Sequence, residues 1–170
     1  MGTGLKIVFM GVCGSGKTTL ATKTAEALGC EPVLEADMFH SPEMKAKMAA
    51  GIPLTDEDRW PWLERIRDAL IHAGDRTVVA TCSALRKVYR EKLCSGELAG
   101  RVHFLFLDAP QSVIAARLSS RRHEYMPASL LGSQFAVLEK PEYGEPITRI
   151  SVEGTPEETL TVILQSLRSL

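Results

Sequence analysis

The sequence has no marked excess of charge of either sign. Its 170 residues include 20 Lys+Arg and 21 Asp+Glu, which gives a formal net charge of −1 at pH 7. Proteins dedicated to binding nucleic acid normally carry a basic excess or stripe, and a polybasic membrane-attachment surface needs one as well. The charge balance therefore argues against both kinds of partner, while a local basic pocket for a small anion stays compatible with it.

Cysteine is scarce, and the four cysteines lie far apart in the sequence. Cys13, Cys30, Cys82 and Cys94 form no C-x-x-C pair, and no histidine lies at zinc-ligand spacing from them. Apolar runs are also short, since none approaches the roughly 20 residues of a membrane-spanning helix. We expect thiols rather than disulfides, no membrane segment and a cytoplasmic location.

The sequence contains no linker, internal repeat or low-complexity segment. Its content of 45% hydrophobic, 24% charged and 6% aromatic residues is that of an ordinary globular domain. A chain of this length can bury roughly 70% of the surface that its unfolded state would expose, which is enough for a core without disulfide or metal staples. We expect a single domain over residues 1–170.

Apolar segments rich in β-branched residues alternate with segments of helical period, a pattern typical of βα units. The predicted strands are 5–10, 32–35, 76–81, 102–107 and 147–152, and the predicted helices are 17–28, 110–120 and 155–167. A further helix is predicted to begin at Asp58 as its N-cap, with Pro61 in its opening turn. The pattern predicts an α/β fold, a five-stranded parallel sheet with helices on both faces. Two stretches, 37–62 and 121–145, are more polar than this packing requires.

One segment matches a phosphate-binding motif in full. Gly11-Val12-Cys13-Gly14-Ser15-Gly16-Lys17-Thr18 fits G-x-x-x-x-G-K-[ST] and lies between a predicted strand and a predicted helix. The glycines let backbone N–H groups approach a phosphate, and the helix N-terminus adds partial positive charge. Lys17 is placed to reach the β and γ phosphates, and Thr18 to ligate Mg²⁺. We predict a site for ATP and Mg²⁺ formed by residues 11–18 and Thr19.

The phosphate-binding loop defines the class of ligand but not the reaction. A GTPase is expected to carry an N-K-x-D segment, which this sequence lacks. A mechanical ATPase would carry a Walker-B aspartate after an apolar strand. Asp108 is the candidate, but Ala109-Pro110 follows it, and we interpret Asp108 as the cap of the next helix. A small-molecule kinase, in which polar insertions bind an acceptor and close over ATP, fits the sequence better.

A longer segment carries a more specific resemblance. Residues 47–63, KMAAGIPLTDEDRWPWL, resemble the K-M-x-x-G-x-P-L-x-D-x-D-R-x-P-W-L signature of the gluconokinases, ATP-dependent kinases of the shikimate-kinase-like P-loop group. Three further segments resemble that family in order and spacing: Asp37 with His40 (D-x-x-H), 82–90 (C-S-A-L-[KR]-[KR]-x-Y-R) and 130–139 (L-L-x-S-Q-F-x-x-L-E). The resemblance implies a P-loop kinase fold with an acceptor-binding insertion at about 37–62 and a lid at about 121–127.

The resemblance also implies a reaction. It is transfer of the γ-phosphoryl group of ATP to the terminal hydroxyl of D-gluconate, giving 6-phosphogluconate and ADP, by a protein expected to form a homodimer. Lys17, Asp37 and Arg121 are the implied catalytic residues. Asp37 would accept the hydroxyl proton, and Arg121 would neutralise charge on the transferring phosphoryl group. A strand-end or capping role for Asp37, and Arg122 in place of Arg121, are the alternatives.

The implied substrate-binding residues are Asp37, His40, Arg59 and Arg86. Each arginine is a candidate for the acceptor's carboxylate, because a guanidinium can hold a carboxylate with two parallel hydrogen bonds. The alternative for both arginines is a surface ion pair, and for His40 a purely structural role.

Two segments depart from the family pattern at positions implied to recognise the acceptor. The family has Pro directly after the histidine, where this chain has Ser41. Four positions after the histidine the family has Asn, where this chain has Met44. The lid carries Glu124 where the family has His, with His123 beside it. Met in place of Asn removes a donor and an acceptor from a site for a polyol. The alternatives are therefore a kinase of another sugar acid, polyol or shikimate-like acceptor, or a non-catalytic nucleotide-binding module.

Overall fold

Five strands form one parallel sheet in the part of the chain that the structure describes. The structure is a computed structural model, and it describes residues 4–120 and 128–170. The strands are β1 (Lys6–Met10), β2 (Leu34–Glu35), β3 (Val78–Thr81), β4 (Val102–Asp108) and β5 (Ile147–Ser151). Their order is β2-β3-β1-β4-β5, and every neighbouring pair is parallel. The predicted α/β class and five-stranded sheet are confirmed.

Helices connect these strands. Within the described residues they are α1 (Lys17–Leu28), α2 (Pro42–Ala49), α3 (Asp56–His72), α4 (Lys87–Leu93), α5 (Gln111–Ser119), α6 (Ala128–Val137) and α7 (Pro156–Arg168), with short 3₁₀ helices at Ala36–Phe39 and Gly96–Leu98. Not one of the helices in these ranges is both long enough and apolar enough to cross a membrane. The sequence pattern does not predict α2, α4 or α6. Helices α2 and α4, of 8 and 7 residues, repeat their apolar positions too few times to show a period, and α6 lies in the polar stretch 121–145, in which the pattern predicts no helix.

The core lies on both faces of the sheet. Successive side chains of β1 point to opposite faces, so Ile7 and Phe9 pack into one apolar cluster and Val8 and Met10 into another. The first cluster includes Leu20 of α1, Ile114 of α5 and Ile163 of α7, and the second includes Leu63 of α3 and Leu93 of α4. The predicted helices on both faces are confirmed.

The start of α3 differs from the prediction. Thr55, not Asp58, is the N-cap: its hydroxyl accepts a hydrogen bond from the Asp58 N–H at 3.2 Å, while the Asp58 carboxylate accepts from the Thr55 N–H at 2.8 Å. This reciprocal pair is a capping box, in which the acidic residue belongs at the third helical position. Lys47 also donates to Asp58, and this bond with those from Thr55 lowers the pKa of Asp58 to about 2. Pro61 consequently lies inside the helix, beyond the opening turn.

Asp108 does not cap the helix that follows it, so that prediction is wrong. Strand β4 continues through Asp108, α5 begins after Pro110, and no side chain caps its N-terminus. The Asp108 carboxylate instead accepts a hydrogen bond from Arg149 of β5. Strand β4 is one residue longer than the predicted strand 102–107, and that residue, Asp108, bonds to the neighbouring strand and not to the first turn of α5.

A buried arginine fastens the segment that follows α6 to the rest of the domain. The Arg90 side chain is 2% exposed and binds the Glu145 carboxylate with Nε at 2.9 Å and Nη2 at 3.3 Å. It also donates to the carbonyl oxygens of Ala84, Leu85 and Glu139. One side chain therefore links α4, the loop after β3 and the connection between α6 and β5.

We expect Arg90→Met to lower the free energy of unfolding by about 3–5 kcal/mol, because removing one partner leaves a buried carboxylate without its counter-charge. For a chain of this size the thermal midpoint should fall by roughly 10 °C, which calorimetry would measure. Lys92→Met in the same helix is the matched control. Its ion pair with Glu64 is largely exposed, and its loss should cost under about 1 kcal/mol.

The Arg90–Glu145 pair also predicts a pH dependence. Partial burial opposes ionisation of Glu145, but the hydrogen bonds from Arg90 and the Glu142 N–H outweigh it and lower the pKa. A lowered carboxylate pKa stabilises the folded state above the ordinary glutamate pKa, and the stabilisation is lost as the pH falls through the lowered value. The free energy of unfolding of the wild type should therefore exceed that of Glu145→Gln by less at pH 3 than at pH 7. A difference that stayed constant from pH 7 to pH 3 would contradict this account.

Candidate active site

The phosphate-binding loop leaves the sheet at the carboxyl end of its central strand, β1. Gly11, Gly14 and Gly16 have φ angles of 147°, 82° and 96°, which residues other than glycine rarely adopt. A Cβ on Gly11 would also lie 3.0 Å from the Leu107 carbonyl oxygen. The buried Ser15 hydroxyl donates to the Val12 carbonyl oxygen at 2.7 Å. These conformations turn the loop back on itself, as a backbone cradle for phosphate requires.

Lys17 lies inside this loop. Its ammonium group donates to the carbonyl oxygens of Gly11 at 2.9 Å and Val12 at 3.0 Å. Burial lowers the pKa of Lys17, while the neighbouring Cys13, Cys82 and Asp37 act in the opposite direction. The loop therefore holds a partly desolvated cation where phosphate oxygens would bind, and Asp37 is close enough to act on it electrostatically.

Thr18 and Thr19 are exposed in the first turn of α1. Gly16 is the N-cap and supplies no side-chain hydrogen bond, so no capping side chain competes for the N–H groups of this turn. In residues 4–120 and 128–170 no group of three or more His, Cys, Asp and Glu side chains could hold a metal ion. A single hydroxyl beside a phosphate cradle fits Mg²⁺, which is commonly held by one or two protein ligands together with substrate phosphates and water.

Asp37 and His40 lie beside the carboxyl end of β2, on and just after the 3₁₀ helix Ala36–Phe39. Trp62 of α3 donates through Nε1 to the Ala36 carbonyl oxygen at 2.8 Å, and its ring stacks on His40 with centroids 5.1 Å apart. Arg65 donates twice to the Phe39 carbonyl oxygen, at 2.8 and 3.0 Å. Burial lowers the pKa of His40, although Asp37 opposes this, so its imidazole is neutral near pH 7. Helix α3 thus fixes the turn, while the Asp37 side chain stays exposed.

A second feature is a cleft of about 440 Å³ beside the phosphate-binding loop, called the arginine cleft below. It is lined by Leu54, Asp56, Arg59, Trp62, Ser83, Leu85, Arg86, Tyr89, Ala136 and Val137. The Ser83 carbonyl oxygen accepts a hydrogen bond from the Gly11 N–H at 3.2 Å, so the cleft adjoins the start of the loop. Its volume is in the range of small-ligand sites.

Arg59 and Arg86, predicted separately from the sequence, lie together in this cleft. Each guanidinium carbon is 5.5 Å from the centroid of the Tyr89 ring. Arg59 donates through Nη1 to the Leu54 carbonyl oxygen at 2.8 Å and to the Tyr89 hydroxyl at 3.3 Å. Arg86 donates through Nη1 to the Asp56 carboxylate at 2.8 Å. The surface ion-pair alternative thus describes Arg86 in part, but its partner is a residue of the cleft.

Three residues of the site are not among those predicted from the sequence. Asp56 accepts a hydrogen bond from the Tyr89 hydroxyl at 2.6 Å, and Gln134 of α6 accepts one from the Cys13 N–H at 2.7 Å. Asp56, Tyr89 and Gln134 all occur within the segments that resemble the gluconokinases. The signal that could have found them is that each occupies a fixed letter of its signature, although the signatures do not show which residues these side chains contact.

The site residues do not all meet in one place. Asp37 and His40 are not among the residues that line the arginine cleft, although Trp62, which does line it, stacks on His40. Met44 is 3% exposed and packs in the core, and Ser41 caps α2 by accepting the Met44 N–H at 3.1 Å. These two departures from the family pattern therefore serve the start of α2 and the core. The predicted lid, 121–127, lies outside the described residues, as do Arg121, Arg122, His123 and Glu124 within it.

A phosphate-binding loop at the centre of a parallel sheet, with a cationic cleft for a small acceptor beside it, defines a P-loop kinase of small molecules. The sequence matches the AAA domain family over residues 7–141. It is 42% identical to a gluconokinase of Gluconobacter oxydans over 166 residues, which span 96% of this chain and 91% of that protein. The chain belongs to the gluconokinase family.

Solved structures agree with this assignment. A gluconokinase from Sinorhizobium meliloti superposes with a TM-score of 0.83 at 40% identity, covering 99% of this chain and 98% of that one. Shikimate kinase from Aquifex aeolicus has a TM-score of 0.59 at 19% identity, covering 97% of each chain. The second likeness is one of fold alone.

Proposed function

We propose that this protein transfers the γ-phosphoryl group of ATP to the terminal hydroxyl of D-gluconate, giving 6-phosphogluconate and ADP. The observation that carries the proposal is the pair of guanidinium groups, Arg59 and Arg86, in a cleft that adjoins the phosphate-binding loop. Gluconate has a carboxylate at one end and a hydroxyl at the other. The arginines would bind the first and leave the second directed toward ATP. The gluconokinase relatives support the same acceptor.

In the proposed reaction Asp37 accepts the proton of the terminal hydroxyl. The hydroxyl oxygen forms a bond to the γ-phosphorus as the bond from that phosphorus to the β,γ-bridging oxygen breaks, and ADP leaves with the electron pair. Lys17, held inside the loop, stabilises charge on the phosphate oxygens. His40, with a neutral ring fixed against Trp62, is placed to hydrogen-bond acceptor hydroxyls. Arg121 would add a further cation from the lid.

We also propose that ATP binds as its Mg²⁺ complex. When bound, Mg²⁺ neutralises charge on the β and γ phosphates. Thr18 is the residue that would hold it, because its hydroxyl is exposed at the uncapped N-terminus of α1. Within residues 11–19 the N–H groups of Gly11, Cys13 and Ser15 donate to the Ser83 carbonyl oxygen, the Gln134 side chain and the Val12 carbonyl oxygen, and the phosphates would bind to other N–H groups of this stretch.

A coupled assay of ADP release over a panel of acceptors tests the proposal. The panel should hold D-gluconate, other sugar acids, neutral polyols and shikimate at equal concentration. We expect gluconate to give the highest kcat/KM. Rapid turnover of another acceptor with none on gluconate would overturn the proposed acceptor, and nucleotide binding without turnover of any acceptor would favour a non-catalytic module.

Replacing Arg86 by alanine should raise the KM for gluconate by about 10- to 100-fold with a much smaller change in kcat, since it removes charge-assisted hydrogen bonds to a part of the acceptor that does not react. Arg86→Lys keeps the charge without the planar fork and should give an intermediate KM. Lys87→Ala is the matched control, because Lys87 pairs with Glu142 and does not line the cleft. Equal effects of Arg86→Ala and Lys87→Ala on KM would contradict the role given to Arg86.

We further propose that residues 1–170 act as one kinase domain, with an acceptor-binding segment at 37–62, in the cytoplasm and as a homodimer. A reducing compartment is consistent with Cys30, Cys82 and Cys94, none of which forms a disulfide. The homodimer follows from the family resemblance, and light scattering of the purified protein would test it.

A further inference from the structure

The arginine cleft contains a carboxylate as well as two guanidinium groups. Among the described residues that line it, only Asp56, Arg59 and Arg86 carry charge. Asp56 lies 2.8 Å from Nη1 of Arg86 and 4.0 Å from Nη1 of Arg59. Two positive charges and one negative charge leave the lining with a net charge of one positive unit.

Local structure keeps Asp56 ionised at this position. It is the first residue of α3, where the helix N-terminus favours a negative charge. The Tyr89 hydroxyl donates to one carboxylate oxygen at 2.6 Å and Arg86 to the other at 2.8 Å. The hydrogen bond from Tyr89, opposed by slight desolvation and assisted by Arg86, lowers the pKa of Asp56 below its ordinary value. The carboxylate is therefore negative at neutral pH.

Tyr89 couples the three charged groups. Both guanidinium groups lie against its ring, and its hydroxyl accepts from Arg59 while donating to Asp56. Tyr89 is 7% exposed as a residue and packs in the core cluster on this side of the sheet. The spacing of the two cations and the anion is thus set by one rigid side chain.

A second carboxylate approaches Arg86 from outside the cleft. Glu139 lies 3.5 Å from Nε of Arg86, but its side chain is 51% exposed and it is not among the lining residues. Solvent screens this pair more than the pair of Arg86 with Asp56, which is shorter, at 2.8 Å, and whose acidic side chain is 36% exposed. The charge that an acceptor meets inside the cleft is therefore governed by Asp56 and the two arginines.

We propose that Asp56 is a specificity-determining residue that cancels one arginine charge, so that the cleft selects an acceptor end with a single negative charge, a carboxylate, over one with two, a phosphate monoester. The proposal rests on the proposed function in taking the arginine cleft as the site of the acceptor's anionic end. A carboxylate balances the one net positive charge. A phosphate monoester carries about −1.5 to −2 at pH 7, so part of its charge would face Asp56 without a counter-charge.

The test compares two acceptors that share a polyol chain and a terminal hydroxyl. D-Gluconate carries a carboxylate at C1, and D-glucitol 1-phosphate carries a phosphate monoester at the same end of a chain with the same configuration. For Asp56→Asn we expect the ratio of kcat/KM for gluconate to that for glucitol 1-phosphate to fall by about tenfold, since a unit charge has been removed within a few ångströms of the anion in a partly screened site. Where glucitol 1-phosphate is bound but not turned over, its inhibition constant against gluconate replaces kcat/KM, and the ratio of that constant to the KM for gluconate should fall by the same factor.

Two variants separate this role from a general effect on charge or folding. Asp56→Glu keeps the negative charge and should keep the wild-type ratio. Glu57→Gln removes the same charge from the neighbouring exposed residue of α3, and it too should leave the ratio unchanged. If Asp56 only supports the fold, or only competes with the acceptor for Arg86, Asp56→Asn changes both acceptors alike and the ratio stays constant.

A constant ratio in Asp56→Asn would therefore overturn the proposal, as would an equal fall in Glu57→Gln. These outcomes are distinct from failure of the proposed function, which would show as an absence of gluconate turnover in the wild-type protein. Wild-type turnover of gluconate together with an unchanged ratio in Asp56→Asn would leave the kinase assignment intact and remove only the role of Asp56.

Discussion

Replacing Lys17 by alanine is expected to lower kcat for gluconate phosphorylation by about 10²–10³-fold or more, because the variant loses the cation that the loop holds beside the phosphates. The Gly11 and Val12 carbonyl oxygens orient the ammonium before any ligand arrives, so little reorganisation is needed in the transition state. Single-turnover measurement of ADP formation at saturating ATP and gluconate would isolate the chemical step.

Lys23→Ala is the matched control for Lys17→Ala. Lys23 lies on the same helix, and its pairing with Glu157, at 3.9 Å, is exposed. Its loss should leave kcat within about twofold, as is usual for an exposed ion pair. Full turnover by Lys17→Ala would contradict the loop's role in catalysis. Loss of turnover with folding and the thermal midpoint retained would support it.

The phosphate-binding loop and the sheet could be predicted because their signals are local. The loop is a contiguous motif whose glycines and lysine together serve to bind phosphate. Each strand and helix of the α/β pattern can likewise be recognised from the residues of its own segment. In the structure Gly11, Gly14 and Gly16 take the positive φ angles for which glycine is suited. The parallel sheet then follows from the length of the connections, each of which is long enough to hold a helix.

The arginine cleft could be predicted only in part. The segments that resemble the gluconokinases supplied Arg59 and Arg86, but they did not show that Tyr89 lies against both guanidinium groups or that Asp56 lies between them. Apart from that of Arg59 with Asp56, three positions away on α3, these contacts join residues about 30 positions apart, from α3 and from the start of α4. Asp56 occupies a fixed position of the 47–63 signature and Glu57 a variable one, but Asp58 is fixed as well, and the signature alone does not show which of the two carboxylates faces the arginines.

The wrong predictions concern residues for which two local roles compete. Asp58 is a good N-cap by residue type, but Thr55 three positions earlier is one as well, and the acidic side chain then completes a capping box. Asp108 could have capped α5, but Arg149 on the adjacent strand offers a charged partner instead. Tertiary neighbours decide such cases, and they cannot be read from the segment itself.

The position of Met44 in the structure shows that its departure from the family pattern does not indicate a different acceptor. An acceptor site that had lost an asparagine would suggest a different substrate. Met44 is buried in the same apolar cluster as Ala36 and Trp62 and does not line the arginine cleft. The departure at Met44 is therefore compatible with gluconate as acceptor.

The second large effect is expected for Asp37→Asn, which should lower kcat by about 10²–10⁴-fold while changing the KM for gluconate far less. Asparagine keeps the size and hydrogen-bonding reach of the side chain but cannot accept the hydroxyl proton. The 3₁₀ helix that carries Asp37 is fixed by hydrogen bonds from Trp62 and Arg65 to backbone oxygens, so the substitution should leave its position unchanged. The thermal midpoint should accordingly stay close to that of the wild type.

Glu43→Gln provides the control for Asp37→Asn, because Glu43 is an exposed carboxylate of the same polar stretch in the first turn of α2. It should retain wild-type kcat. A normal kcat in Asp37→Asn would assign the base to another group, whereas a raised KM with normal kcat would make Asp37 a binding residue only. Since Asp37 raises the pKa of Lys17, the variant should also lower that pKa further, and a shift of the basic limb of the kcat profile to lower pH would report the same proximity.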